Sequence, residues 1–125
     1  SKVLLCLGSN RDALRHIDAA QNMLRRTLGD IRFSQSLWTK PIGTATPSPL
    51  YLNCLAQADT NLGYPALHQM LKDMERTIGS TPTERKQGIV RIDIDILLAD
   101  GQRHHEDDWE RPYVKNLLAQ LNPIS

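Results

Sequence analysis

The sequence predicts an α+β fold in which two amphipathic helices cover one face of an antiparallel sheet. Three observations carry this prediction: two segments with a helical apolar period, four runs that read as strands, and their order β-α-β-β-α-β. At 125 residues the chain suits one domain spanning residues 1–125.

Val3 to Leu7 is apolar without interruption, as a strand buried on both faces is. From Asn10 to Leu28, Leu14, Ile17, Leu24 and Leu28 recur on one helical face, with Ala20, Gln21 and Met23 at its margin. Asn10 is the N-cap candidate, Asp12 suits the first turn, and Gly29 suits the position just past the end. Ile31 to Trp38 reads as a strand with an irregular polar centre, and Lys40 to Pro49, with three prolines and a glycine, as a rigid loop. Tyr51 to Thr60 alternates: Leu52, Cys54, Ala56 and Ala58 share one face, and Tyr51, Asn53, Leu55, Gln57 and Asp59 the other.

Pro65 is pre-set for a helical first turn, and Leu67, Met70, Leu71, Met74 and Ile78 continue the helix to a stop at Gly79. Ser80 to Gly88 is a polar, turn-rich connection. Val90 to Leu98 alternates most strongly, with Val90, Ile92, Ile94, Ile96 and Leu98 on one face and Arg91, Asp93, Asp95 and Leu97 on the other. Asp100 to Trp109 reads as a charged surface segment and Tyr113 to Leu121 as a short final helix.

This order is the ferredoxin-like split arrangement, with both principal helices on one face. The opposite face is then polar, and Tyr51, Asn53, Arg91, Asp93 and Asp95 gather on it. Composition narrows the function. With 40% hydrophobic and 23% charged residues the chain is globular, and a net charge of +1 gives no field for nucleic acid or an anionic membrane. No apolar run reaches the roughly 18 residues of a membrane span, and no secretory signal is evident. Cys6 and Cys54 sit in apolar strands and read as reduced core thiols. A cytoplasmic protein, monomeric or weakly dimeric, is the expectation.

The strongest chemical signal is Arg91-Ile92-Asp93-Ile94-Asp95-Ile96. Carboxylates two apart on a strand share a face, with Cα atoms about 7 Å apart. Such a pair can hold Mg²⁺, which takes oxygen ligands and adds nucleotide phosphate. An ordinary wet strand face carries Asp equally well, so both readings stand. Arg76, Arg85, Lys86 and Arg91 cluster nearby and suit either a polyphosphate or a solvated loop. Gly8-Ser9-Asn10 has a turn and a cap as its simplest reading, and lacks the spacing of a P-loop. His104 and His105 adjoin three acidic residues, but adjacent His side chains diverge, which argues against zinc.

Four motifs in order add a resemblance. Leu7-Gly8-Ser9-Asn10, Thr39-Lys40-Pro41-Ile42-Gly43, Tyr51-Leu52-Asn53 and Ile92-Asp93-Ile94-Asp95-Ile96-Leu97 together resemble the 6-hydroxymethyl-7,8-dihydropterin pyrophosphokinase family. The likeness runs from about Val3 to Leu98 and more faintly to Leu121. It implies transfer of a diphosphate from ATP to the pterin hydroxymethyl oxygen with two Mg²⁺ ions, as a step of folate biosynthesis. Asp93 and Asp95 match the metal ligands, Asn53 a hydrogen-bond partner of the pterin ring, and Tyr51 its neighbour. Thr39, Pro41 and Ile42 match the pterin-pocket loop, and Glu75 a helix position near the nucleotide. Arg111-Pro112-Tyr113-Val114 resembles a family run in which Arg111 approaches phosphate and Tyr113 stacks on the pterin. His105 has the spacing of a family histidine near the nucleotide.

The chain departs from the family pattern after the second helix. Ser80, Pro82, Gln87 and Val90 stand where arginines and a tryptophan are usual. Arg91 falls one residue closer to Asp93, which on a strand turns it toward the aspartates. Arg85, Lys86 and Arg91 are the candidates to replace the missing charge, with Arg91, Arg111 and Asp95 as catalytic candidates. A binding module of the same fold, without turnover, is the alternative.

Overall fold

The computed structural model describes residues 1–41 and 49–121. Its central strand, β1 (Lys2–Ser9), pairs antiparallel with β4 (Tyr51–Asp59) on one side and β5 (Asp93–Ala99) on the other. Beyond β4 lie two short strands, β2 (Ile31–Phe33) and β3 (Leu37–Thr39), and beyond β5 lies β6 (Gln102–Arg103). Helices α1 (Ala13–Leu28) and α2 (Tyr64–Ile78) cover one face, where Ile17, Ala20, Leu24, Leu67 and Leu71 meet Val3, Leu5, Leu7, Cys54 and Ile94. The ferredoxin-like order expected from the sequence is therefore present.

The expected strand from Ile31 to Trp38 is broken in two by one extra residue. Phe33 opposes Ala56 and Leu37 opposes Asn53, so four steps on the edge answer three on β4. Ser34 sits in the break, its N–H donating to Leu55 O at 2.9 Å and its Oγ accepting from Leu55 N at 2.8 Å. The bulge re-aims β3, whose Thr39 then opposes Tyr51.

Helix α1 starts at Ala13, two residues later than an N-cap at Asn10 would set it, behind Asp12 in a left-handed conformation (φ 45°). Its buried stripe is Ala13, His16, Ile17, Ala20 and Leu24, while Leu14, expected inside, is 71% exposed. Asn10 is no cap. Its N–H donates to Val90 O (2.9 Å), its Oδ1 accepts from Val90 N (2.7 Å) and its Nδ2 donates to Gly88 O (2.8 Å). This clamp uses the backbone of Gly88 and Val90, so β5 begins at Asp93 and not at Val90. The connection after α2 also holds a helical turn, α3 (Pro82–Lys86), started by Thr81 Oγ1 accepting from Glu84 N.

The segment Asp100 to Trp109 is more than charged surface. Asp100 and Gly101 both have positive φ, as a two-residue hairpin into β6 requires. A short helix α4 (Glu106–Trp109) then buries Trp109, whose indole N–H donates to Leu97 O (3.2 Å) and His104 O (3.1 Å). Helix α5 (Pro112–Leu121) follows, and Val114, Leu117 and Leu121 pack with Trp109 over Leu4, Leu55 and Leu97. Each of these helix side chains contributes ~1.5–3 kcal/mol by leaving water. The sheet face opposite α1 and α2 is thus dry over half its length, against the expectation of a uniformly polar face. Only its other half stays open. No helix among the described residues is long and apolar enough to cross a membrane.

Candidate active site

Three strands bring the polar residues together. Gly8 of β1 opposes Asn53 on β4 and Asp93 on β5, and Cys6 opposes Leu55 and Asp95. Opposed residues project from the same face, so Cys6, Gly8, Asn53, Asp93 and Asp95 share the uncovered part of the sheet. Gly8 leaves a hollow at the centre: a Cβ there would stand 3.2 Å from Asn53 Oδ1 and 3.9 Å from the Tyr51 ring.

Over the hollow lies a cavity of about 340 Å³. Thr39, Lys40 and Pro41 wall one side, Tyr51 and Asn53 the next, and Asp108, Arg111 and Tyr113 the far side. Ile42 lies outside the described residues. Asn53 is buried; its Nδ2 donates to Thr39 Oγ1 at 2.7 Å, which turns Oδ1 toward the hollow as an acceptor. Burial, then the charge of Asp93, raises Tyr51, and burial followed by Cys6 and Asp108 raises Tyr113, so both phenols stay neutral. Cys54 is a core thiol as expected, but Cys6 is only partly buried and forms part of the cavity floor. Burial and the charge of Asp95 keep the Cys6 thiol protonated.

The two carboxylates are crowded. Burial, then the charge of Asp93 and a hydrogen bond with it, push Asp95 up to about 7, with Lys72 acting the other way. Asp93 Oδ1 lies 3.3 Å from Arg85 Nη1 and 3.9 Å from Lys72 Nζ, and Asp95 Oδ1 lies 4.0 Å from His105 Nε2. Oxygen ligands one strand-repeat apart, whose mutual repulsion a cation would relieve, are a donor set that fits Mg²⁺.

Glu75 is placed behind this site, outside the cavity. On α2 and buried, it accepts from Ile94 N (2.7 Å), Lys72 Nζ (3.0 Å) and Arg85 Nη2 (3.1 Å). Burial raises it, partly offset by the Ile94 and Lys72 hydrogen bonds. Glu75 therefore holds two cations against Asp93. Arg85 is further fixed by Ser80 Oγ and Ile92 O.

Two expected residues are elsewhere. Arg91 precedes β5, so strand alternation does not apply to it; its guanidinium lies on the helical side, bonded to Glu84 at 2.7 and 2.8 Å. Lys86 is exposed on α3, outside the cavity. Arg111 borders the cavity and is held by Asp108 at 3.1 Å. The sequence reading gives no site role to Lys72, Asp108 or Cys6, and names Gly8 and Lys40 only within longer motifs, among them those that carry the resemblance. Lys72 had a signal, since it precedes Glu75 by three on a helix, and so did Asp108, three before Arg111.

A family model described as 7,8-dihydro-6-hydroxymethylpterin-pyrophosphokinase (HPPK) matches residues 4–123, a span that holds every residue of the cavity. The chain belongs to this HPPK family. It is also 33% identical, over 96% of its length, to a protein of Pisum sativum named folate synthesis bifunctional protein, mitochondrial. The chain spans about a quarter of that relative. Within the HPPK match, the cavity joins the two aspartates to Asn53, Tyr51, Thr39 and Tyr113, residues drawn from three separate stretches of chain.

Proposed function

We propose that the chain transfers a diphosphate from ATP to the hydroxymethyl oxygen of 6-hydroxymethyl-7,8-dihydropterin and releases AMP, in folate biosynthesis. One observation carries the reading: in a chain of the HPPK family, the Asp93–Asp95 pair lines one cavity with Asn53, Tyr51 and Tyr113. In this reading Asn53 Oδ1 accepts from an N–H of the pterin while Thr39 fixes the amide. Tyr51 and Tyr113 flank the flat ring, and Gly8 gives it room to lie against the sheet.

Asp93 and Asp95 would hold Mg²⁺, which when bound supplies charge neutralisation and Lewis-acid polarisation of the diphosphate. Lys72, Arg85 and Arg111 bring positive charge to the edge of the same cavity, where a triphosphate needs it. Diphosphate transfer demands alignment and charge balance more than covalent chemistry from the protein. Asp95 is the group we assign to receive the hydroxyl proton.

A coupled assay for AMP, with the hydroxymethyldihydropterin, ATP and Mg²⁺, should show turnover well above background. Its absence defeats the reading. A second reading, a pterin-binding module without turnover, is favoured by Arg91 being engaged with Glu84 on the helical side. Calorimetry showing pterin binding alongside a silent assay would support that second reading. Two free thiols suit a reducing compartment such as the cytoplasm; the mitochondrial name belongs to the pea relative.

A further inference from the structure

A second cavity, of about 750 Å³, opens between α1 and the last turn of α2 and shares no lining residue with the aspartate cavity. Its walls carry Arg15, His16 and Arg26 from α1 and Arg91 from the turn before β5, against one carboxylate, Glu84. Arg15 has only exposed Asp12 at 3.4 Å, and Arg26 has no ion-pair partner among the described residues. The hydrogen bonds from Arg91, reinforced by the charges of Arg91 and Arg11, hold Glu84 below the usual carboxylate range.

His16 adds an independent constraint. It is 5% exposed, and its Nδ1 lies 2.5 Å from Arg11 O. A carbonyl only accepts, so Nδ1 carries the proton and Nε2 is left without a partner among the described residues. The ring lines the cavity, and an accepting Nε2 in a basic wall suits a ligand that both accepts and donates. Phosphate does so: a protonated oxygen donates to Nε2, and an ionised oxygen accepts from the arginines.

We propose that this cavity binds a soluble phosphate-bearing metabolite, with the phosphate held by Arg15, Arg26, Arg91 and His16. The volume is within the range of small-molecule sites. The ligand would compete with Glu84 for Arg91. Glu84 is adjacent on α3 to Arg85, which contacts Asp93, so occupancy at this site would bear on the aspartate cavity through one helical turn.

The test titrates inorganic phosphate into the full chain by calorimetry, without Mg²⁺, with EDTA, and at ionic strength held constant with chloride. Saturable millimolar binding is expected for the wild type. Arg15→Gln with Arg26→Gln, both on the exposed side of α1, should weaken it by about tenfold or more. Asp93→Asn with Asp95→Asn should leave it intact. No saturable binding, unchanged affinity in the arginine double variant, or loss in the aspartate double variant would each overturn the proposal. None of these readouts depends on turnover, so the site stands or falls separately from the proposed reaction.

Discussion

Asn10 and Val90 are tied by a reciprocal pair of hydrogen bonds, 2.9 Å from Asn10 N to Val90 O and 2.7 Å from Val90 N to Asn10 Oδ1. With the third bond to Gly88 O, one side chain sets where the chain enters β5. Asn10→Ala should therefore lower stability by about 1–3 kcal/mol, the range for leaving part-buried backbone groups unpaired. Asn10→Asp keeps the acceptor for Val90 and should lose less. Urea denaturation of both variants measures the ordering, and an Ala variant as stable as the wild type would contradict it.

Gly8→Ala tests the hollow. The added methyl would meet Asn53 Oδ1 at 3.2 Å, close enough to shift that amide by tenths of an ångström. Pterin affinity, followed by fluorescence titration, should fall about tenfold or more while urea midpoints change little. Full affinity in the variant would mean that the ring does not use this floor.

Asp95 links stability to pH. Its folded-state carboxyl is raised to about 7, so between the ordinary carboxylate range and that value the native state holds a proton the unfolded chain has released. Metal-free protein should lose stability as pH rises toward 8, and Mg²⁺ should restore it. Asp95→Asn should flatten both the pH slope and the Mg²⁺ response in thermal melts. A melt that rises with pH in metal-free wild type would be the wrong sign.

The aspartate pair and Lys72 separate metal from charge. Asp93→Asn with Asp95→Asn should remove Mg²⁺-dependent nucleotide binding without unfolding the chain, since both side chains are partly exposed. Lys72→Met keeps the aliphatic stem and removes the ammonium beside Asp93. It should raise KM for ATP by about tenfold and leave pterin binding alone. Steady-state kinetics with each substrate varied in turn gives the comparison.

The sequence makes legible whatever depends on local period. The stripe of α2, the alternation of β4 and the Asp93–Asp95 spacing are fixed by 3.6- and 2-residue repeats, and they place Asn53 and the aspartates on one face. The facing of Arg91 is not legible locally, because the start of β5 is decided by Asn10, eighty residues away in sequence, whose clamp no local pattern announces. Leu55 and Leu97 interrupt the alternation of the wet face, and they are the seat of α5. Glu75 was found by resemblance, but its role is set by Ile94, Lys72 and Arg85, contacts that only tertiary packing creates.

Cys6 and Cys54 divide differently from what their apolar flanks suggest. One is sealed within the core and the other borders the aspartate cavity beside Asp95 and Tyr113. The chain thereby comes with a native labelling handle at the place of interest. A maleimide or disulfide reagent, slowed by the protonated state of that sulfur, would report occupancy of the cavity through protection of a single natural side chain, with no engineered probe.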